Sequence, residues 1–175
     1  MTARKGFYAE VRQLRTDIDA AVGGEVVEQT KVHAWLKTAL LARGTLAIDT
    51  VPEKFQTTST AIWRTGGIQY SKVAEAAIAF TAAHPVTASK FGIILVQVDN
   101  DGVVTTKIPG ATQTTTQAYN TAPLALAALP AVDSGNTALG YIAIAAGAGG
   151  WTAITSDLTT ATFNDAALTT VPASL

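Results

Sequence analysis

The chain has 175 residues, enough for one ordinary domain with a real core or a domain plus an appendage, and the absence of cysteine excludes disulfides, thiolate nucleophiles and cysteine-based zinc sites. Net charge is −1 and only 14% of residues are charged, against roughly 25% in ordinary soluble domains, while 48% are hydrophobic. The surface must therefore be carried by Thr, Ser, Gln and Ala, a composition that goes with membrane contact or with large surfaces buried in an assembly.

Membrane crossing by helices is set aside by length, because the apolar runs from Ala122 to Val132 and from Ala138 to Gly149 fall short of the ~18 residues a spanning helix needs. Seven of the twelve Lys and Arg lie within residues 1–43 and none follows Lys107. A nucleic-acid binder needs a basic stripe to displace counterions from phosphates, so the uncharged C-terminal half is not read as one. The opening Met1-Thr2-Ala3-Arg4-Lys5 is basic but leads into an amphipathic segment. No secretory signal is read, and synthesis in a cytoplasm is expected.

In chain order, Phe7, Val11, Leu14, Ile18 and Ala21 recur at spacings of 4, 3, 4 and 3, which places them on one helical seam. With Val11 at a heptad a position, Glu10 falls at g and Arg15 at e, the pair that bridges helices in a parallel coiled coil. The same seam also suits an amphipathic helix lying on its own domain. Gly23-Gly24 breaks the pattern. A second helix is predicted from Glu25 to Ala42, with Val32, Leu36, Ala39 and Leu40 on one face and Arg43-Gly44 as a C-terminal cation and C′ glycine.

From Thr45 the composition turns to Thr, Gly, Ile and Val, and the domain boundary is placed there. A short strand is predicted over Ala47 to Val51. Thr57 to Arg64 and Ile68 to Val73 flank Thr65-Gly66-Gly67 as the two strands of a hairpin, which makes Trp63 and Tyr70 near cross-strand neighbours. Ala76 to Thr81 is a further strand, ahead of a His84-Pro85 turn.

The stretch Phe91 to Ile108 (FGIILVQVDNDGVVTTKI) organises the rest. Its two β-branched arms, Ile93 to Val98 and Val103 to Ile108, flank Asp101-Gly102 at a corner that needs positive φ, so they predict a buried hairpin. Beyond a Thr- and Gln-rich loop, Thr121 suits an N-cap and Pro123 the first turn of a short helix from Pro123 to Leu129, ended by Pro130. Thr137 to Ala145 reads as a strand, Gly147 to Gly150 as a turn, and Trp151 to Thr155 as the partner strand. The tail beyond Asp157 is expected to stay extended against a neighbour or its own domain.

The pattern sums to an α+β chain. A helical arm over residues 1–44, a candidate oligomerisation segment, precedes a mainly antiparallel β domain over residues 45–175, sandwich or barrel-like, with one short helix and an extended C-terminal tail.

Chemistry is sparse in this inventory. His33 lies on the arm and His84 in a turn, neither at metal-ligand spacing or in a hydrolase triad. Asp99, Asn100, Asp101 and Gly102 resemble the start of a calcium loop, but Val103 and Val104 stand where that loop needs an oxygen and a glycine. The glycines around Gly147 form no dinucleotide fingerprint and no P-loop. Carboxylate pairs for glycoside chemistry, remote in sequence, stay open. No catalytic, cofactor or metal residue is assigned.

Three stretches carry a family likeness: IWRTGGIQYSKVAEAAIAFTA, then GIILVQVDNDGVVTTK, then AYNTAPLALAALPAVDSGNTALGYIAI with the following GGWTA. Together they span roughly residues 60–160 and resemble the head fibre or head decoration proteins of tailed bacteriophages. The resemblance implies a non-enzymatic virion protein on the capsid surface, made in the host cytoplasm, a homotrimer bound to the major capsid protein or another virion protein, with no cofactor, nucleic acid or membrane partner. The arm is not part of the likeness. On this reading Phe7, Val11, Leu14 and Ile18 form the seam between subunits, and Arg4, Lys5 and Arg12 face an acidic patch on the capsid or on a connecting protein. Two other classes stand beside it. One is a carbohydrate-binding or host-recognition module of a fibre, in which Trp63, Tyr70, Trp151 or Tyr119 stacks on sugars. The other, disfavoured by the residue inventory, is a cell-wall hydrolase.

Overall fold

The computed structural model describes residues 38–66, 68–110 and 112–166. Among them are the strands β1 (Thr38–Ala42), β2 (Leu46–Ile48), β3 (Phe55–Thr57), β4 (Ala61–Thr65), β5 (Ile68–Lys72), β6 (Glu75–Ile78), β7 (Phe91–Val98), β8 (Val104–Lys107), β9 (Thr137–Ala145) and β10 (Thr162–Asp165). One short helix, α1 (Ala122–Ala127), lies between β8 and β9. The strands form three sheets in the orders β1-β4-β5, β10-β9-β7-β8 and β2-β3-β6, and every pairing within them is antiparallel. The described chain is thus mainly antiparallel β with one short helix.

β7 sits at the centre of the four-stranded sheet, and its residues Ile93 to Val98 are all buried. A run that is apolar at every position but Gln97, without polar alternation, is what a strand needs when both of its faces are covered. Ile94, Val96 and Val98 join Ile142 and Ile144 of β9 in one cluster with Leu40 and Trp63 from the first sheet and Leu46, Phe55 and Ile78 from the third. Each such aliphatic side chain stabilises the fold by about 1.5–3 kcal/mol relative to exposure. Against the other face of β7 and β9 lies α1, which buries Ala125.

The expected corner of the central hairpin is present. Val98 pairs with Val104, the Asp99 N–H bonds the Val103 carbonyl at 3.1 Å, and Gly102 takes φ +80°. Asp99 Oδ1 accepts from the N–H groups of Asp101 at 2.9 Å and Val103 at 2.8 Å, which locks the corner. The β4–β5 hairpin also forms as expected, with Trp63 opposite Tyr70 and their rings stacked at 5.9 Å. Thr121 caps α1, its hydroxyl accepting from the Leu124 N–H at 3.4 Å. The strand over Thr137 to Ala145 matches its predicted bounds.

Two expectations are corrected. The helix predicted from Glu25 to Ala42 is wrong over its last five residues, because Thr38–Ala42 is β1, paired with β4, and the rest of it lies outside the described residues. Sheet pairing therefore begins before the composition change at Thr45. Ala39 and Leu40 are consecutive and both buried, with β4 alongside and β9 packed against them. That tertiary cover outweighs the helical spacing of the same residues. The segment from Trp151 to Thr155 is not the partner of β9. Trp151 makes a single bridge to Val86 through bonds of 2.7 and 3.0 Å, and the chain then turns, with the Ser156 N–H on the Thr152 carbonyl at 2.9 Å. The outer partner of β9 is instead β10, so the described part of the tail lies along its own domain.

Gly140 makes this last pairing possible. A Cβ there would stand 2.2 Å from the Asn164 carbonyl oxygen and 2.8 Å from Leu46 Cδ1. The close approach lets β10 lie on β9 while Asp165 Oδ1 accepts from the Leu46 N–H at 2.8 Å, joining the second and third sheets.

Candidate interaction surfaces

The polar side chains that sequence singled out are committed to structure. His84 is fully buried, with ring Nδ1 at 2.9 Å from the Gln113 carbonyl and Nε2 at 2.8 Å from Thr106 Oγ1. A carbonyl only accepts, so Nδ1 carries the proton and Nε2 accepts from the Thr106 hydroxyl. Burial pushes the His84 pKa below its ordinary value, partly opposed by the Gln113 hydrogen bond. Thr106 Oγ1 also accepts from the Thr81 N–H at 3.1 Å, so the imidazole ties three chain segments together.

Asp49 works in the same way on the third sheet. Its carboxylate accepts from the Ala77 N–H, the Thr50 hydroxyl at 2.8 Å and the Val51 N–H at 3.1 Å, and these bonds, Ala77 first, hold its pKa below the usual carboxylate range. A third node sits where the α1–β9 connection crosses the sheet. The buried Gln97 amide donates to the Asp133 carboxylate, and its oxygen accepts from the Asp133 N–H at 2.9 Å. Lys107 bonds the same carboxylate and the Ala131 carbonyl at 3.0 Å; its hydrogen bond, then that of Gln97, lowers the Asp133 pKa. Among the described residues no three His, Asp or Glu gather closely enough to hold a metal ion.

The aromatic candidates for ligand stacking lie mostly inside. Trp63 is 1% exposed and Trp151 6%, and Trp151 meets Phe80 edge-on at 5.9 Å while its Nε1 donates to the Asp157 carbonyl at 2.8 Å. Tyr70 is half-buried, its ring against Trp63, and Tyr119 is half-buried beside Phe91. Neither indole offers an open face to a sugar. The seam residues Phe7, Val11, Leu14 and Ile18 and the cations Arg4, Lys5 and Arg12 lie outside the described residues.

What the surface does present is apolar and uncharged. An open cleft of about 270 Å³ beside α1 is lined by Ile93, Ala122, Pro123, Leu126, Tyr141 and Ala143, together with the polar Asn164. Leu124 and Leu126 of α1 stay exposed above it. A second surface is the run from Ile68 to Ala79, exposed at nine of its twelve positions, with Ile68 and Val73 the most open large apolar side chains. Its two charges, Lys72 and Glu75, pair with each other at 2.9 Å. Neither surface was legible as such in the sequence. The exposed face of α1 carries the same Leu and Ala as a core helix, and β5 has the apolar content of an inner strand.

Comparison of the chain with protein-family models, with curated proteins and with solved structures finds no match.

Proposed function

We propose that this chain is a structural component of a bacteriophage virion that decorates the capsid exterior as a homo-oligomer, with a trimer as the expected state. The reading is carried by the sequence resemblance over residues 60–160, whose quoted stretches supply β4 to β9 and α1. The surface is consistent with it. Apolar side chains exposed on α1 and along Ile68 to Ala79, with few charges between them, are suited to burial against other chains. The seam of Phe7, Val11, Leu14 and Ile18 joins the subunits, and Arg4, Lys5 and Arg12 meet acidic groups on the capsid.

Light scattering on the full chain, beside the Leu14→Glu/Ile18→Glu variant, tests the assembly. A mass that is three times the 18.1 kDa of one chain or a multiple of that, falling threefold in the variant, is the expected result. Co-sedimentation with capsids lacking the protein tests attachment, and an Arg4→Glu/Lys5→Glu/Arg12→Glu variant should stay in the supernatant. A wild-type monomer that ignores capsids would defeat the proposal, and glycan binding or turnover of purified cell wall would redirect it.

A further inference from the structure

We propose that β5 is a docking edge for a second copy of this chain, which adds its own β5 antiparallel about Tyr70 and turns the three-stranded sheet into a six-stranded one. The inference takes its partner from the homo-oligomeric reading above, but the contact is separate from the arm.

β5 is the last strand of its sheet, hydrogen-bonded to β4 alone among the described residues. Two residues separate the paired Thr65 and Ile68, so that pair closes the hairpin and exchanges both backbone bonds. Alternation then turns the N–H and C=O groups of Gln69 and Ser71 away from β4, toward the open edge. Folded proteins usually blunt such an edge by keeping it short or with a bulge, a proline or charged side chains. Of the other sheet edges, β1 carries a register shift against β4 and β6 one against β3, while β2, β8 and β10 pair without a shift but are only three or four residues long. β5 pairs with β4 without a break over five residues, contains no proline, and has Lys72 neutralised by Glu75. Ile68 is 61% exposed at one end, and Val73, just past the other, is 74% exposed.

Open backbone groups specify a β-strand as the partner, and the side chains specify this one. Antiparallel pairing about Tyr70 sets Gln69 of each copy against Ser71 of the other, which matches the outward backbone groups. It also sets Ile68 against Lys72, so no like charges meet and the lysine stem covers the exposed isoleucine. The contact is isologous, and therefore closes at two copies.

The register can be read by charge. In full-length protein, Gln69→Glu/Ser71→Glu places like charges opposite each other twice across the axis, whereas Gln69→Lys/Ser71→Glu places opposite charges there. Both positions are exposed, so neither variant disturbs the core. Light scattering should show the mass falling twofold in the first variant and restored in the second, with the Gln69 and Ser71 amides protected from hydrogen exchange only in the larger species. Repeating the pair in the Leu14→Glu/Ile18→Glu background separates the two contacts: the β5 dimer should survive loss of the arm seam. If the capsid-decoration reading fails, this dimer still stands. A mass indifferent to both variants overturns the inference and leaves the edge to the chain's own arm or to another partner strand.

Discussion

Replacing Gly140 by alanine adds one methyl group at the point where β9, β10 and β2 meet. The new carbon would lie 2.2 Å from the Asn164 carbonyl oxygen and 2.8 Å from Leu46 Cδ1. The leucine tip can rotate away, but the carbonyl belongs to the β10 backbone, so β10 itself must retreat by about 1 Å from a contact well inside normal packing distance. Overpacking of this kind costs about 1–3 kcal/mol. Retreat also stretches the pairing of Asp165 with Gly140 and the Asp165 bond to the Leu46 N–H, at about 1 kcal/mol for each hydrogen bond. Alanine returns about 0.4–1 kcal/mol by restricting the unfolded chain. The net expectation is a loss of about 2–4 kcal/mol, read by urea unfolding, and a fall in Tm of about 2–4 °C per kcal/mol for a chain of this size. Hydrogen exchange should show the Leu46 amide and the β10 amides opening first. A variant within about 0.5 kcal/mol of wild type, with the Leu46 amide still protected, would refute this account of the β9–β10 contact.

Two further perturbations follow from the buried nodes. His84 has a folded pKa below its unfolded value, so the unfolded chain binds the extra proton as pH falls. Stability is full above about pH 6.5 and declines below it toward the folded pKa, with a slope of up to about 1.4 kcal/mol per pH unit. Denaturant unfolding between about pH 7.5 and 5 should show that slope in wild type and lose it in His84→Gln, whereas an unchanged slope would assign it to other groups. Gln97→Ala empties a buried site and removes both bonds from Gln97 to Asp133, and should cost about 2–3 kcal/mol. Lys107→Ala removes only the more exposed partner and should cost under about 1 kcal/mol. Equal losses in the two variants would contradict the assignment of Gln97 as the anchor of the α1–β9 connection.

Much of this fold could be read along the chain, because the features in question are local. The β-branched arms on either side of Asp101-Gly102, the Thr121 cap with Pro123 inside it, the run from Thr137 to Ala145 and the Trp63–Tyr70 pair each depend on residues within a few positions or across one turn. Period and turn chemistry decide such elements before any tertiary contact forms. The features that escaped are long-range. Thr38–Ala42 has helical spacing but becomes a strand because β4, more than twenty residues on, is there to pair with it. Trp151 bridges Val86 because the β7–β9 pairing brings the two together, and His84 becomes a sealed hydrogen-bonded node only where Thr106 and Gln113 converge on it. The candidate surfaces divide the same way. The sequence determined that apolar residues would exceed what one core can hide, but an Ile in β5 and an Ile in β7 look alike until the strand order is known. Only the tertiary structure, by placing β7 between two neighbours and leaving β5 with one among the described residues, decided which of them faces outward.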